Sequence, residues 1–280
     1  MRYYTILQNG QEKVAASVDG AELYVLDAFR DMSELIEAGG VPVIPVTAPK
    51  VEGEYKVLSP IPRPRQDVVC LGINYAAHAE EAAKFNSAAF GGERPYPIFF
   101  SKRVNYCQGS GEPIPSYPGL VDSLDYECEL GVVIGKAAKN VTREDSGSVI
   151  FGYTIVNDVS ARNLQTRHKQ WYFGKSLDGF TPIGPCIVSA DEFAYPPKQG
   201  IRCRVNGETR QDSNTENLIT GIPDILTVLT EGMTLLPGTI IATGTPAGVG
   251  MGMNPPVFLK PGDVVECEID GIGTLVNMVE

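Results

Sequence analysis

Short apolar runs, most of them closed by glycine or proline, confine this 280-residue chain to folds built from many brief strands. VVCLG, PIFFS, LGVVIG, FGYTIV, IGPCIV and TIIATG are each about strand length, and each is bounded by turn residues. The 30 Gly and 21 Pro are scattered as punctuation and do not gather into a linker. Helical spacing is confined to Ala28–Ala38 (stopped by Gly39 and Gly40), Ala76–Ala83, the region of Asn163–Gln170 and the region of Ile222–Thr230. Many strands with little βαβ alternation predict a β-rich α+β fold. No internal repeat or low-complexity tract interrupts the pattern.

The N-terminal part reads as a small module. Arg2–Leu7 and Lys13–Val18 flank Asn9–Gly10, a hairpin signal. The stretch Val41–Arg65 is rich in proline and has no sustained period. A small N-terminal domain with its linker is therefore expected over residues 1–65, and a catalytic domain over 66–280.

Charge excludes some partners. The net charge of −11 repels nucleic acid phosphates and anionic lipid. An anionic ligand is compatible with it only where positive charge is concentrated locally. No apolar run approaches the length of about 18 residues that a transmembrane helix needs, and MRYYTILQNG has no secretory h-region. None of the six cysteines forms a C-x-x-C pair, and most lie in apolar runs, so buried free thiols and a cytoplasmic location are expected.

The segment Asp125-Tyr126-Glu127-Cys128-Glu129-Leu130 carries the strongest chemical signal. On a strand, Glu127 and Glu129 share a face, and the apolar Leu130–Ile134 beside them predicts burial. Two buried carboxylates on one face repel each other and need protons or a cation. Asp158, just past the apolar run FGYTIVN, adds a third. An all-oxygen cluster favours Mg²⁺, Mn²⁺ or Ca²⁺ over zinc. The competing reading places both glutamates on the solvent face of an edge strand. His78 and Glu81, three apart in AAHAEEAA, are neighbours on a helix, where a carboxylate orients an imidazole as a general base requires; such a pair also occurs as an ordinary surface contact. His168, in the polar TRHKQW, reads as solvated.

LDYECELGVVIGK, FGYTIVNDVSARNLQ, FGKSLDGFTPIGP and LLPGTIIATGTPAGVG resemble, in order and approximate spacing, the fumarylacetoacetate hydrolase family. GINYAAHAEE and FLKPGDVVECEIDGIGTL fit the same pattern, so the resemblance spans residues 66–280. It implies mixed β-sheets rolled around a metal site, a small N-terminal domain, and a homodimer. By the same resemblance Glu127, Glu129 and Asp158 are the ligands of a divalent metal, Mg²⁺ with Mn²⁺ or Ca²⁺ as alternatives. The fumarylacetoacetate-cleaving branch has a further Asp ligand upstream of its His; this chain has no carboxylate between Asp67 and His78, which implies three protein ligands and open positions.

The resemblance further implies a catalytic His78–Glu81 pair on a lid that extends through Lys84–Arg94. Lys175 would polarise a substrate carbonyl. Gln165 would bind the carboxylate or keto oxygen of a small 2-oxo acid. Thr245, in a glycine-rich turn that lacks a phosphate loop's G-K-[ST] ending, would approach the ligand. Arg162 is placed with the substrate-binding residues, with a structural role the stronger expectation. Lys102 is set outside the site, because Arg103 stands where the family's F-x-K-P segment has proline. The implied activity is hydrolysis of a carbon–carbon bond in a 2,4-dioxo acid of the acylpyruvate or fumarylpyruvate type. 2-Oxo-acid decarboxylation and enol–keto isomerisation are the alternatives.

Overall fold

A computed structural model describes residues 1–92 and 95–280 of the chain; the last two residues of the expected lid segment, 93 and 94, lie outside the described residues. The first strands are β1 (Arg2–Gln8), β2 (Gln11–Ser17), β3 (Tyr24–Val25), β4 (Lys56–Val57), β5 (Val68–Gly72) and β6 (Ile98–Lys102). They are followed by β7 (Leu124–Asp125), β8 (Cys128–Ile134), β9 (Ile150–Asn157), β10 (Ser160–Ala161) and β11 (Ile183–Ser189). The last are β12 (Gly200–Val205), β13 (Glu208–Asn214), β14 (Ile240–Ala242), β15 (Val264–Ile269) and β16 (Gly273–Met278). The helices are short: α1 (Met32–Glu37), α2 (Ala76–Phe85), α3 (Ser87–Phe90), α4 (Arg162–Arg167), α5 (Tyr172–Lys175) and α6 (Ile222–Gly232). This is the strand-rich mixed architecture that the punctuated sequence predicts.

The large sheet runs β3-β2-β1-β11-β9-β8-β14-β5-β6, with β4 on β1; β13-β12-β15-β16 form a second sheet, and β7 pairs with β10. The strands β8 and β9 lie inside the large sheet and are buried along their whole length, which is why their sequences are nearly continuous apolar runs. Burial of β8 rules out the solvent-facing edge position for Glu129. The β1–β2 hairpin closes at Asn9 and Gly10, both with positive φ, the geometry Asn-Gly favours. Asp31 caps α1 by accepting from the Glu34 N–H.

Three segments depart from expectation. The Leu124–Gly135 stretch is two strands, not one. At the break Glu127 leaves the ladder: its N–H donates to the Asn157 side chain at 3.1 Å, and its carbonyl accepts from the Asp158 N–H. Val264–Val279 is a hairpin that turns at Gly271. Strand β13 has no apolar alternation; along it only Gln211 is fully buried, so periodicity does not reveal it.

Residues 1–65 enter the large sheet through β1, which pairs with β11 at Arg2↔Val188 and Tyr3↔Ile187. Tyr3, Leu35 and Ile36 share a core with Val133, Phe151 and Ile187. Among the described residues no helix is long and apolar enough to cross a membrane. The start of β8 and the end of β9 adjoin through Cys128↔Asn157. The parallel strands β14 and β5 end at the loops that lead to Gly244 and to α2. These four chain segments bring together the carboxylates Glu127, Glu129 and Asp158, the Gly244 turn and His78.

Candidate active site

Glu127, Glu129 and Asp158 converge, with one carboxylate oxygen from each lying within 4.8 Å of the others, and all three side chains are buried. Strand β8 supplies Glu129, the bend before it supplies Glu127, and the turn after β9 supplies Asp158. Buried carboxylates this close stay ionised only beside positive charge. Lys175, at the end of α5, donates to Glu127 Oε2 and Asp158 Oδ2, each at 2.7 Å. Arg162, opening α4, contacts Glu127 Oε1 through Nη1 at 2.7 Å. Burial alone would raise the Glu127 carboxyl, but Lys175 and Arg162 outweigh it and hold it far below the usual carboxylate range. The same pairing, with Asp158 and Glu127, outweighs burial at Lys175 and raises its pKa, so its ammonium stays charged.

Two further groups complete this network: Lys102, which the sequence reading set outside the site, and Asp125, to which it gave no role. Lys102, fully buried at the end of β6, donates to Asp158 Oδ1 and to the Val159 carbonyl. Its place as a cation at the end of an apolar strand was a usable signal; the missing proline led away from it. Asp125 accepts from Arg162 Nε at 2.9 Å and from the N–H groups of Gly250 and Met251. It thereby orients the guanidinium, and its two-residue spacing from Glu127 was a readable sign.

Glu129 differs from its neighbours. Its Oε2 accepts from the Gly244 N–H at 2.7 Å, and its buried Oε1 has no hydrogen-bond partner among the described residues. Burial, then Asp158 and Glu127 beside it, push this carboxyl far above the usual range. Counting Asp125, four carboxylates face the three cations Lys102, Lys175 and Arg162, so Glu129 is the one left without a paired cation, and its ionisation needs a further positive charge. An all-oxygen donor set, an orphaned buried oxygen and a carboxyl without a paired cation fit a hard divalent cation.

The acid–base candidates lie above this cluster. His78 on α2 is buried, and its Nδ1 is 3.8 Å from Glu81 Oε2, beyond hydrogen-bond distance. The Glu81 carboxylate instead accepts from the Gly248 N–H. His78, Glu127, Arg162, Gln165, Lys175 and Thr245 all line one cavity of about 300 Å³, open mouth included. Gln165 Oε1 accepts from Arg162 Nη1 at 3.1 Å. The Thr245 hydroxyl is occupied within the fold: it donates to the Cys128 carbonyl and accepts from Gln211. Gln211 reaches the site from β13 and carried no sequence signal. His168 caps the C-terminus of α4 on the surface, edge-on to Phe173.

Comparison with known proteins places this geometry. Residues 67–280 match the family described as fumarylacetoacetate (FAA) hydrolase, C-terminal. The chain is 45% identical over 226 residues to the oxaloacetate tautomerase YisK of Bacillus subtilis, covering 81% of this chain and 73% of that protein. Among solved structures it resembles the fumarylacetoacetate hydrolase of Exiguobacterium antarcticum, with a TM-score of 0.88 and 37% identity over 100% of this chain and 99% of that one. It also resembles the maleylpyruvate hydrolase of Sphingobium in complex with manganese(II) and pyruvate, with a TM-score of 0.79 and 28% identity over 100% and 98% of the two chains.

Proposed function

The chain belongs to the fumarylacetoacetate hydrolase family, and on that premise we propose that it interconverts the enol and keto forms of a short 2-oxo dicarboxylic acid of the oxaloacetate class. The observation that carries this reading is the shared cavity. A buried imidazole, a buried lysine and Glu127 of the carboxylate cluster line one small space, which suits a compact acid. Identity to an oxaloacetate tautomerase supports the same substrate class.

A divalent cation held by Glu127, Glu129 and Asp158, Mg²⁺ with Mn²⁺ as the alternative, would supply Lewis acidity toward the 2-oxygen and the neighbouring carboxylate. The chain's own groups do the remaining work. His78 delivers a proton to C3 of the enol form and removes it in reverse, while the enol O–H proton leaves to solvent or base. Gln165 offers its amide donors to the substrate carboxylate. Lys175 and Arg162 keep Glu127 ionised and concentrate the positive charge that an acidic protein needs to hold an anion.

The second reading is hydrolysis of an acylpyruvate. It is favoured by Glu81 standing three residues from His78 on α2, and by likeness to a maleylpyruvate hydrolase. It requires Glu81 to leave Gly248 and close on His78, so that the imidazole activates water. Enol oxaloacetate and an acylpyruvate, each with Mg²⁺ or chelator, separate the two. Metal-dependent loss of enol absorbance without pyruvate release is the expected outcome, and pyruvate formed from the acylpyruvate would replace it with the hydrolase. In either chemistry His78→Ala should lower turnover at least about a hundredfold with Mg²⁺ binding retained; an unchanged rate removes His78 from the mechanism.

A further inference from the structure

We propose that the indole of Trp171 is the wall that limits the substrate's tail, and that it restricts the site to short 2-oxo acids. The inference rests on the reading above, in which the acid's head lies at the carboxylate cluster. Trp171 is half-buried and immediately precedes α5, the helix that carries Lys175. It borders the active cavity beside His78, Gln165 and Lys175. It also borders a separate, more open cleft lined by Ile73, Ala89, Gly91 and Ile98. Among the described residues Ile73 and Trp171 are common to both spaces, so the indole, with Ile73 beside it, forms the partition between them.

The partition is built in. The Trp171 ring packs against Phe90 at 5.7 Å and edge-on to Phe100 at 5.4 Å between centroids. Its third neighbour is the backbone of Gly72, where an added Cβ would lie 2.0 Å from indole Cζ3. Glycine at the end of β5 therefore leaves the slot into which the ring fits. On the inner side His78, Gln165 and Lys175 suit the head of an oxo acid. The described residues lining the outer cleft, among them Ile73, Ala89 and Ile98, include no charged side chain, which suits an aryl or alkyl tail that the ring keeps from reaching it.

Two unreactive probes test this with Mg²⁺ present. Oxalate has the chelating head alone, and N-phenyloxamate carries the head and an aryl tail. Calorimetric titration of wild type and Trp171→Ala should show N-phenyloxamate gaining at least about tenfold in affinity relative to oxalate in the variant, the benefit of burying one ring. Gly72→Ala, which forces the indole from its slot without deleting it, should move the ratio in the same direction and covers the case in which Trp171→Ala does not fold. Trp171 is the chain's sole tryptophan, so oxalate binding to wild type should also change the intrinsic emission. An unchanged probe ratio in the folded variants overturns the proposal, as does calorimetric oxalate binding with no change in emission. Failure of wild type to bind oxalate at all would instead remove the head assignment, and the tail assignment with it.

Discussion

Glu129 is the residue on which the site's electrostatics turn. It makes no ion pair with a protein cation among the described residues, and its Oε1 is buried without a partner. Its folded pKa is raised above the unfolded value, so in the metal-free protein its contribution to stability is present in acid and lost as pH rises through the folded pKa. A bound dication needs the same carboxyl ionised. Thermal unfolding with and without Mg²⁺ should therefore show a stabilisation by metal that grows from pH 5 to pH 8. Glu129→Gln should raise the metal-free midpoint at pH 8, have less effect at pH 5, and weaken Mg²⁺ binding at least about tenfold; a metal increment independent of pH would refute this account. Glu127, Glu129 and Asp158 were legible in the sequence because carboxylates inside apolar strands are costly and therefore conspicuous. Lys102 and Gln211 were harder to see: a cation at the end of an apolar strand hints at a buried partner without naming it, and an amide on the polar β13 signals nothing until the hydroxyl it meets is known.

At the scale of elements, the loop after β14 is the part that aims backbone at side chains. Gly244 has φ +97 and presents its N–H to Glu129, and Gly248 has φ +104 and presents its N–H to Glu81. A Cβ at Gly244 would lie 2.7 Å from the Asn74 Cβ, and its φ disfavours any L side chain. Gly244→Ala should therefore cost on the order of 1–3 kcal/mol in denaturant unfolding and weaken Mg²⁺ binding as the Glu129 hydrogen bond is displaced; wild-type values for both would show that the loop does not fix the ligand. The sequence TGTPAGVG revealed the turn but not its targets. Thr245 lines the cavity, and its hydroxyl is also held by the Cys128 carbonyl and Gln211, partners the sequence did not show. Local turn chemistry reads well, as Asn9–Gly10 shows, because the dipeptide sets its own φ values. β13 does not, because its place depends on pairing with β12 rather than on its own pattern.

For the whole molecule, the question is how tightly the first sixty-five residues are bound to the catalytic fold. The long family-like segments made residues 66–280 recognisable, and the family match to 67–280 agrees; the N-terminal stretch carried only a hairpin, a helix and a proline-rich run. Its sheet connection could not be read locally, since the pairing of β1 with β11 joins residues more than 180 positions apart. That seam continues through β11 to β9, which leads directly into Asp158. Tyr3 lies on it: its ring packs on Phe151 with centroids 5.3 Å apart, and its hydroxyl bonds the backbone of Val41. If the seam makes the chain one cooperative unit, Tyr3→Ala should cost on the order of 3 kcal/mol and lower a single calorimetric transition as a whole, with calorimetric and van't Hoff enthalpies still equal. Separate transitions, with the Mg²⁺-stabilised one unmoved by Tyr3→Ala, would instead mark residues 1–65 as an independent domain. Because β1, β11 and β9 are consecutive neighbours in one sheet, loosening β1 should reach Asp158 and weaken Mg²⁺ binding along with stability.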